Sequence, residues 1–158
     1  MSTPEPPLQI GIISDTHGLL RPEAVEALAG VNYILHAGDV GDIAILETLR
    51  SIAPVTAIRG NVDVSGACAR LPATEVVELG GCLFYLLHAI QDLDVVPAAA
   101  EISAIVYGHS HRAEVQERDG VVYVNPGSAG PKRFQLPVTM ARAVVADRQI
   151  RVRILSLE

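Results

Sequence analysis

Short apolar segments alternate with helix-like segments over the first third of the chain. Residues 8–13, 33–35 and 55–58 are too short for helices and are rich in aliphatic side chains, which predicts three strands. Between them, Pro22 suits the first turn of one helix, and residues 43–52 carry an apolar face with helical spacing. The order strand, helix, strand, helix, strand is typical of a mostly parallel sheet covered by helices.

The second half of the chain predicts hairpins. Gly80-Gly81 and Asp119-Gly120 each separate two strand-like runs, and such dipeptides favour two-residue hairpin turns. A third hairpin is predicted at residues 147–149, and a short helix over residues 97–101 precedes a strand over 102–107. This number of strands fits two sheets packed face to face with helices outside.

Bulk composition indicates one globular domain. The chain has 158 residues, of which 49% are apolar and 19% charged, with a mean hydropathy of +0.33, and this composition supports a buried core. No apolar run reaches the roughly 18 residues needed to span a bilayer. We expect a disordered leader over residues 1–7, without the basic region of a signal peptide, and a single domain over residues 8–158. The two cysteines, Cys68 and Cys82, fit reduced thiols in a cytoplasmic protein.

The charge distribution argues against a long nucleic acid as partner. The net charge is −6, and the basic residues do not form the stripe that replaces counterions on a nucleic acid. Lys132-Arg133 is a small cluster, more typical of solvated charges than of a substrate anchor. An acidic balance is compatible with a small phosphate ester held by metal ions.

Residue types that bind metal ions follow five of the predicted strands. Asp15 and His17 lie two residues apart after the first strand, and His109 and His111 repeat this spacing further along the chain. In extended chain, residues two apart point the same way, so each pair can share one cation. The candidates at strand ends are Asp15, His17, Asp39, Asn61, His88, His109 and His111. Because α/β sheets build their sites at this edge, we expect the set to converge.

Taken singly, each motif also has a structural interpretation. Gly38-Asp39 is typical of a turn, Gly60-Asn61 of a loop, and a lone His88 of a half-buried histidine. The combination favours a metal site, because glycine directly precedes three of the candidates and lets the backbone approach a bound ion closely.

The ordered motifs resemble those of the calcineurin-like metallophosphoesterases. They are Asp15-x-His17, Gly38-Asp39, Gly60-Asn61-x-Asp63, His88 and Gly108-His109-x-His111, and Asn125-Pro126-Gly127-Ser128 is most similar to the small bacterial and archaeal phosphodiesterases. The resemblance implies an α/β fold, a four-layer α/β/β/α sandwich of two mixed sheets flanked by helices, with a dinuclear centre at one edge.

The resemblance also implies which metal ion each candidate residue would bind. One ion would take Asp15, His17 and His111, the other would take Asn61, His88 and His109, and Asp39 would bridge both. It further implies catalytic roles for Asp39, Asn61 and His88, and in-line attack on phosphorus by a hydroxide that bridges the ions. Mixed imidazole and oxygen ligands suit two divalent transition-metal ions, with Mn²⁺ expected first and Ni²⁺, Fe²⁺, Co²⁺ or Zn²⁺ as alternatives.

The sequence departs from the wider family at two positions. Val62 stands where many members place a histidine that protonates the leaving group, and Ile90 stands where the small phosphodiesterases commonly place another. His36 is the one remaining histidine, and we interpret it as a supporting or packing residue. Asp63 and Asn125 are expected to orient ligands from outside the metal shell.

We therefore predict hydrolysis of a small phosphodiester, with a monoester as a further possibility. The main alternative is a non-catalytic scaffold that keeps the fold and binds protein partners, as the retromer subunit that resembles this family does. A nuclease of the same superfamily is a second alternative, disfavoured by the short, acidic chain. A homodimer is compatible with the apolar composition.

Overall fold

A computed structural model describes residues 6–158, so residues 1–5 of the predicted leader lie outside the described residues. Pro6 and Pro7 are exposed and have no regular structure. The elements in chain order are β1 (Leu8–Ile13), α1 (Pro22–Ala27), β2 (Tyr33–His36), α2 (Ile43–Arg50), β3 (Val55–Ala57), β4 (Thr74–Leu79), β5 (Cys82–Leu87), β6 (Ala104–Val106), β7 (Glu114–Arg118), β8 (Val121–Asn125), β9 (Thr139–Ala146) and β10 (Gln149–Ser156). Short 3-10 helices cover Ala67–Arg70 and Ile90–Asp92.

The strands form two mixed five-stranded sheets. The first sheet has the order β10-β9-β1-β2-β3, and the second has the order β4-β5-β6-β8-β7. β1, β2 and β3 run parallel to one another, as do β5, β6 and β8. Parallel strands end at a common edge, so the segments that follow them are brought together.

The three predicted hairpins are confirmed. β4 pairs with β5, β7 with β8, and β9 with β10, all antiparallel. Asp119 and Gly120 at the second turn have φ values of 52° and 78°. Both central residues are left-handed, as the twist of a two-residue hairpin requires.

Apolar side chains fill three layers of packing. Ile10, Ile12 and Phe84 belong to the cluster between the sheets, where alternate side chains of the two inner faces meet. On the outer face of the first sheet, Leu28 and Leu46 pack with the helices against β1 and β2. The predicted fold class, an α/β sandwich of two mixed sheets, is confirmed.

The outer face of the second sheet is covered by turns. Tyr85, Ile102 and Tyr107 pack there with the segment around the 3-10 helix Ile90–Asp92. The predicted helix over residues 97–101 is wrong, because this segment is a series of turns. Glu101 has φ of 59°, and its left-handed backbone ends the turn before a helix can propagate.

The described helices are short. The longest, α2, has eight residues, and none in residues 6–158 has the length and apolar character needed to cross a membrane.

Candidate metal centre

The seven predicted site residues follow β1, β2, β3, β5 and β6, and they meet at one edge of the sandwich. Hydrogen bonds continue the strand pairing into these loops. Asp15 N donates to Gly38 O at 3.0 Å, and His17 N donates to Asp39 O at 2.9 Å. The loops after β1 and β2 are therefore held together beyond the ends of their strands.

The loops that carry the site are conformationally strained. Five of the seven residues have left-handed backbones: Asp15, His17, Asp39, His109 and His111, with φ of 56°, 46°, 53°, 73° and 64°. Each such residue costs roughly 1 to 2 kcal/mol. Strain of this kind is concentrated at functional sites, where the surrounding structure holds it in place.

Close approach between the loops requires glycine at two positions that directly precede site residues, Gly60 and Gly108. A Cβ atom on Gly60 would collide with the side chain and amide of Asp39, and one on Gly108 would lie 2.5 Å from Oδ2 of Asp15. The glycines noted in the sequence therefore let the ligand-bearing loops touch one another.

Carboxylate and imidazole atoms converge on a small volume. Asp15 Oδ1 lies 3.6 Å from His17 Nε2, 3.7 Å from His88 Nε2 and 3.4 Å from His111 Nε2. Asp39 Oδ2 lies 3.4 Å from His17 Nε2 and 3.2 Å from His88 Nε2. Two groups of three side chains thus place ligand atoms within 4.8 Å of one another: Asp15, His17 and His111, and Asp15, Asp39 and His88.

Several of these converging atoms have no hydrogen-bond partner. Among the described residues, the buried side-chain nitrogen and oxygen atoms without a partner are Asp15 Oδ1, His17 Nε2, His88 Nε2 and His111 Nδ1. All four belong to the predicted ligand set. Three of them, Asp15 Oδ1, His17 Nε2 and His88 Nε2, face one another, whereas His111 approaches Asp15 through its other nitrogen, Nε2. A buried polar atom without a partner costs about 1 to 3 kcal/mol, and a cation where these three atoms meet would remove that cost. The donor set therefore fits divalent transition-metal ions.

The second carboxylate oxygen of Asp15 and of Asp39 accepts a hydrogen bond from the protein. Ser14 Oγ donates to Asp15 Oδ2 at 2.7 Å, which leaves Oδ1 directed at the imidazoles. Val62 N donates to Asp39 Oδ1 at 3.0 Å, which leaves Oδ2 between His17 and His88. Such outer contacts orient metal ligands.

His88 is oriented in the same way. Its Nδ1 lies 2.8 Å from the carbonyl oxygen of Ala37, and only a protonated Nδ1 can donate to that acceptor. In the neutral ring the bond leaves Nε2 with a free lone pair, directed at Asp39.

The remaining two predicted residues lie at the exposed rim. His109 Nδ1 lies 3.1 Å from Asn61 Oδ1, and both residues are exposed. The ring of His109 meets that of His88 edge to face, with centroids 5.2 Å apart. All seven predicted residues are thus in one cluster, with Asp15 most deeply buried and Asn61 and His109 facing solvent.

The electrostatics of the cluster keep its acids ionised. Burial alone raises the pKa of Asp15, but the imidazoles of His111, His17 and His88 outweigh burial and hold it well below the usual range. For Asp39, burial again raises the pKa, and contacts with His88 and the Val62 amide lower it overall.

His36 is buried and lies outside the ligand cluster. Gly38 N donates to its Nδ1 at 3.2 Å, so the ring proton is on Nε2, which donates to Thr16 Oγ1 at 3.0 Å. Thr16 in turn donates to Val40 O at 2.9 Å. Burial lowers the pKa of His36 to about 4. The ring is a neutral link between the loops after β1 and β2, as the supporting interpretation predicts.

Asp63 and Asn125 also hold the loops, as expected. Asp63 accepts hydrogen bonds from the backbone amides of Val40, Gly41 and Gly60 at 2.9–3.0 Å. Asn125 Nδ2 donates to Gly108 O at 3.1 Å and to Ser110 Oγ at 3.0 Å.

Sequence reasoning assigned no role to Ser14, Thr16 and Ser128. Ser128 Oγ donates to Asp15 O at 3.0 Å, so all three brace the loop after β1. Thr16 lies inside the Asp15-x-His17 motif, Ser128 ends Asn125-Pro126-Gly127-Ser128, and Ser14 directly precedes Asp15. This proximity to the motifs is the signal that the sequence contains.

Comparison with known families agrees with a metal centre at this edge. The model for the calcineurin-like phosphoesterase superfamily domain matches residues 8–148. The chain belongs to this superfamily. Its members are metal-dependent, which agrees with the Asp and His groups at the sheet edge.

Individual proteins similar to this chain support its membership of the superfamily. A probable metallophosphoesterase of Methanothermobacter thermautotrophicus is 31% identical over 151 residues, covering 88% of this chain and 87% of the relative. Phosphodiesterase MJ0936 of Methanocaldococcus jannaschii is 25% identical over 138 residues, covering 76% and 83%. Vacuolar protein sorting 29 from Cryptosporidium parvum has a TM-score of 0.76 at 21% identity, covering 94% of this chain and 97% of that one. The similarity to vacuolar protein sorting 29 shows a shared fold only.

Proposed function

We propose that this metallophosphoesterase hydrolyses a small phosphodiester with two divalent transition-metal ions bound at the sheet edge. The observation that carries the proposal is the convergence of three buried, unpartnered ligand atoms, Asp15 Oδ1, His17 Nε2 and His88 Nε2. Nε2 of His111 lies 3.4 Å from the same Asp15 oxygen. Nothing in the packing of an apolar core needs this arrangement, and its cost is removed when cations are bound.

The residues divide into two ligand groups. Asp15, His17 and His111 would hold one ion, and His88, Asn61 and His109 would hold the other. Asp39, whose Oδ2 lies near both His17 and His88, would join the groups. The nitrogen-rich donor set suits Mn²⁺, Fe²⁺, Co²⁺, Ni²⁺ or Zn²⁺, and we expect Mn²⁺ first.

Each chain residue has a task in this reaction. Bound ions would activate a water for in-line attack and neutralise charge on the phosphoryl group. Asp39 supplies the negative charge that allows two cations to lie close together, and the exposed Asn61 and His109 face the incoming ester. His88 presents Nε2 because Ala37 O holds its other nitrogen.

A small diester is favoured over a polymer by charge. The net charge of −6 offers no extended basic surface for a nucleic acid. The printed name of the related phosphodiesterase supports a diester substrate.

The test is a hydrolysis screen with the metal-stripped protein. Bis(4-nitrophenyl) phosphate and 4-nitrophenyl phosphate are offered with each of the five metals, for the wild type, Asp39→Asn and Asp119→Asn. Asp119 lies at the β7–β8 turn, so its variant matches the charge change away from the centre. We expect metal-dependent release of nitrophenolate that favours the diester and is lost in Asp39→Asn alone. Wild-type protein inactive with every metal would contradict the proposal.

A scaffold is the second candidate, because vacuolar protein sorting 29 shares the fold. Metal uptake alone does not distinguish a phosphodiesterase from a scaffold, since a scaffold can also bind ions that stabilise its fold. Protein that binds metal with full occupancy and hydrolyses neither ester would favour the scaffold.

A further inference from the structure

A cleft adjoins the side of the centre formed by Asn61, His88 and His109. Its volume is about 330 Å³, and its walls combine an apolar floor at Leu87 with polar groups at Thr74 and Gln91. A substrate whose phosphodiester lies at the metal centre would extend into this space.

Arg59 lines the cleft, and it is held in place. One guanidinium nitrogen, Nη1, donates to the carbonyl oxygen of Leu71 at 2.7 Å, and the backbone N–H of Arg59 donates to Pro72 O at 2.9 Å. The side chain is exposed. A guanidinium has five N–H bonds in a fixed fork, so most of them remain available to a ligand, and little conformational entropy is lost when one binds.

The charge of Arg59 is not neutralised by the protein. Among residues 6–158, the lysine or arginine side chain paired with a carboxylate within 4.0 Å is Lys132, which pairs with Glu158. Asp92 lines the same cleft without forming an ion pair with Arg59. A fixed, unpaired cation in a concave wall attracts anions, because a cleft focuses the electric field.

We propose that Arg59 binds a second phosphate of the substrate, so that the preferred substrate is a phosphodiester that carries a further phosphate. This inference rests on the proposed function for the choice of substrate. A phosphate monoester carries close to two negative charges at neutral pH and three acceptor oxygens, which match the free N–H groups of a guanidinium. Asp92, which lines the same cleft, repels an anion, so within the cleft the phosphate is expected at Arg59.

The test compares two esters that differ by one phosphate. Thymidine 5′-(4-nitrophenyl phosphate) is assayed with and without a 3′-phosphate. In both, water forms the new bond to phosphorus, the P–O bond to the aryl group breaks, and 4-nitrophenolate leaves. We expect wild-type protein to prefer the 3′-phosphorylated ester by about 10- to 100-fold in kcat/KM, mainly through KM.

Three variants separate charge from structure. Arg59→Gln removes the charge and should bring the ratio close to one, whereas Arg59→Lys keeps the charge and should retain part of it. Arg70→Gln is the matched control, because Arg70 is exposed, does not line the cleft and changes net charge equally. It should leave both rates unchanged.

A binding measurement makes the outcome independent of turnover. Calorimetric titration compares thymidine 3′,5′-bisphosphate with thymidine 5′-phosphate, and the affinity difference should vanish in Arg59→Gln. Equal hydrolysis and equal binding of the paired compounds by the wild type would overturn the subsite and leave the proposed function standing. No hydrolysis of either ester would overturn the proposed function, while the binding comparison would still decide the role of Arg59.

Discussion

The backbone N–H of His109 donates a hydrogen bond to Oδ2 of Asp15 over 3.1 Å. Asp15 follows β1 of the first sheet and His109 follows β6 of the second, so this bond joins the edges of the two sheets. The hydroxyl of Ser14 donates to the same oxygen. Oδ1 is left free and directed at the imidazoles, so the proposed centre is complete only when the two sheets are packed together.

Asp39→Asn should abolish hydrolysis without unfolding the metal-free protein. The change removes the charge that would hold two cations together, so we expect a loss of at least about 100-fold in kcat and weaker uptake of both ions. The apo fold should lose only a little stability. The folded protein favours the ionised form of Asp39, but the amide oxygen of Asn can still accept the hydrogen bond from the Val62 N–H. Turnover, elemental analysis of metal content and thermal unfolding measure the three effects. Near-normal turnover would exclude a bridging role, and cooperative loss of structure would show that Asp39 is mainly structural.

Gly108→Ala should weaken metal binding more than it weakens the fold. The added Cβ would push against Ser14 Oγ and Asp15 Oδ2. The Asp15 carboxylate would have to turn, which would move its free oxygen, Oδ1, away from the imidazoles. We expect metal affinity to fall about 10- to 100-fold in equilibrium titration. Gly120→Ala is the control, because its Cβ would meet open space at a hairpin turn. Its left-handed φ of 78° should cost roughly 1 to 2 kcal/mol in stability and leave metal affinity intact. Equal metal affinity in the two variants would contradict the packing argument.

His36 should make the metal-free protein sensitive to acid. Its pKa lies at about 4 when folded, below the ordinary 6.5, so between these values the unfolded chain binds a proton that the folded protein does not. Stability therefore falls as pH is lowered through this window, by roughly 3 kcal/mol in total. Urea unfolding at a series of pH values should show this loss in the wild type and a shallower loss in His36→Gln. Parallel pH profiles would show that His36 is not held neutral by burial.

Leaving-group assistance should be weak in the proposed hydrolysis. Val62 stands at the position that many relatives fill with histidine, and His36 is fully buried with both ring nitrogens hydrogen-bonded. A general acid is typically worth about 10² to 10⁴-fold, so aryl diesters should be cleaved well and alkyl diesters very slowly. The measurement is kcat/KM across esters of increasing leaving-group pKa. A flat dependence would reveal an acid that the structure does not identify.

A new histidine at that position should partly supply this assistance. Val62 is 41% exposed, and its backbone N–H contacts Asp39, so the ring of Val62→His can lie beside the centre. We expect alkyl substrates to gain more than aryl ones. Val64→His is the control, two residues further along and 79% exposed, and it should leave the leaving-group dependence as it is in the wild type.

Local sequence signals were sufficient to predict the strands and hairpins and the polar residues that meet at the sheet edge. Gly80-Gly81 and Asp119-Gly120 each specify a turn by backbone conformation alone, so the hairpins could be predicted. The convergence of Asp15 and Asp39 follows from a general rule, because the neighbouring parallel strands β1 and β2 end at one edge of the first sheet. His88 follows β5 of the second sheet and joins them only because the two sheets pack together.

What could not be predicted depends on contacts between distant segments. The left-handed backbone of His17 and the choice of Oδ1 as the free oxygen of Asp15 arise from loops that meet only in the folded chain. Arg59 offers no sequence signal of its own, since its fixed position depends on the carbonyl of Leu71. The prediction of a helix over residues 97–101 was wrong for a different reason. Three alanines favour a helix there, but the segment is too short to propagate one.

Turnover as a function of bound metal tests the proposed dinuclear centre most directly. Metal-stripped protein is titrated with Mn²⁺ while release of nitrophenolate from bis(4-nitrophenyl) phosphate is followed. If both ligand groups are needed, activity should stay low up to about one equivalent and reach a plateau at about two. A plateau at one equivalent would contradict the dinuclear centre, and no release at any Mn²⁺ level, or with Fe²⁺, Co²⁺, Ni²⁺ or Zn²⁺ in its place, would contradict the assignment of this chain as a phosphodiesterase.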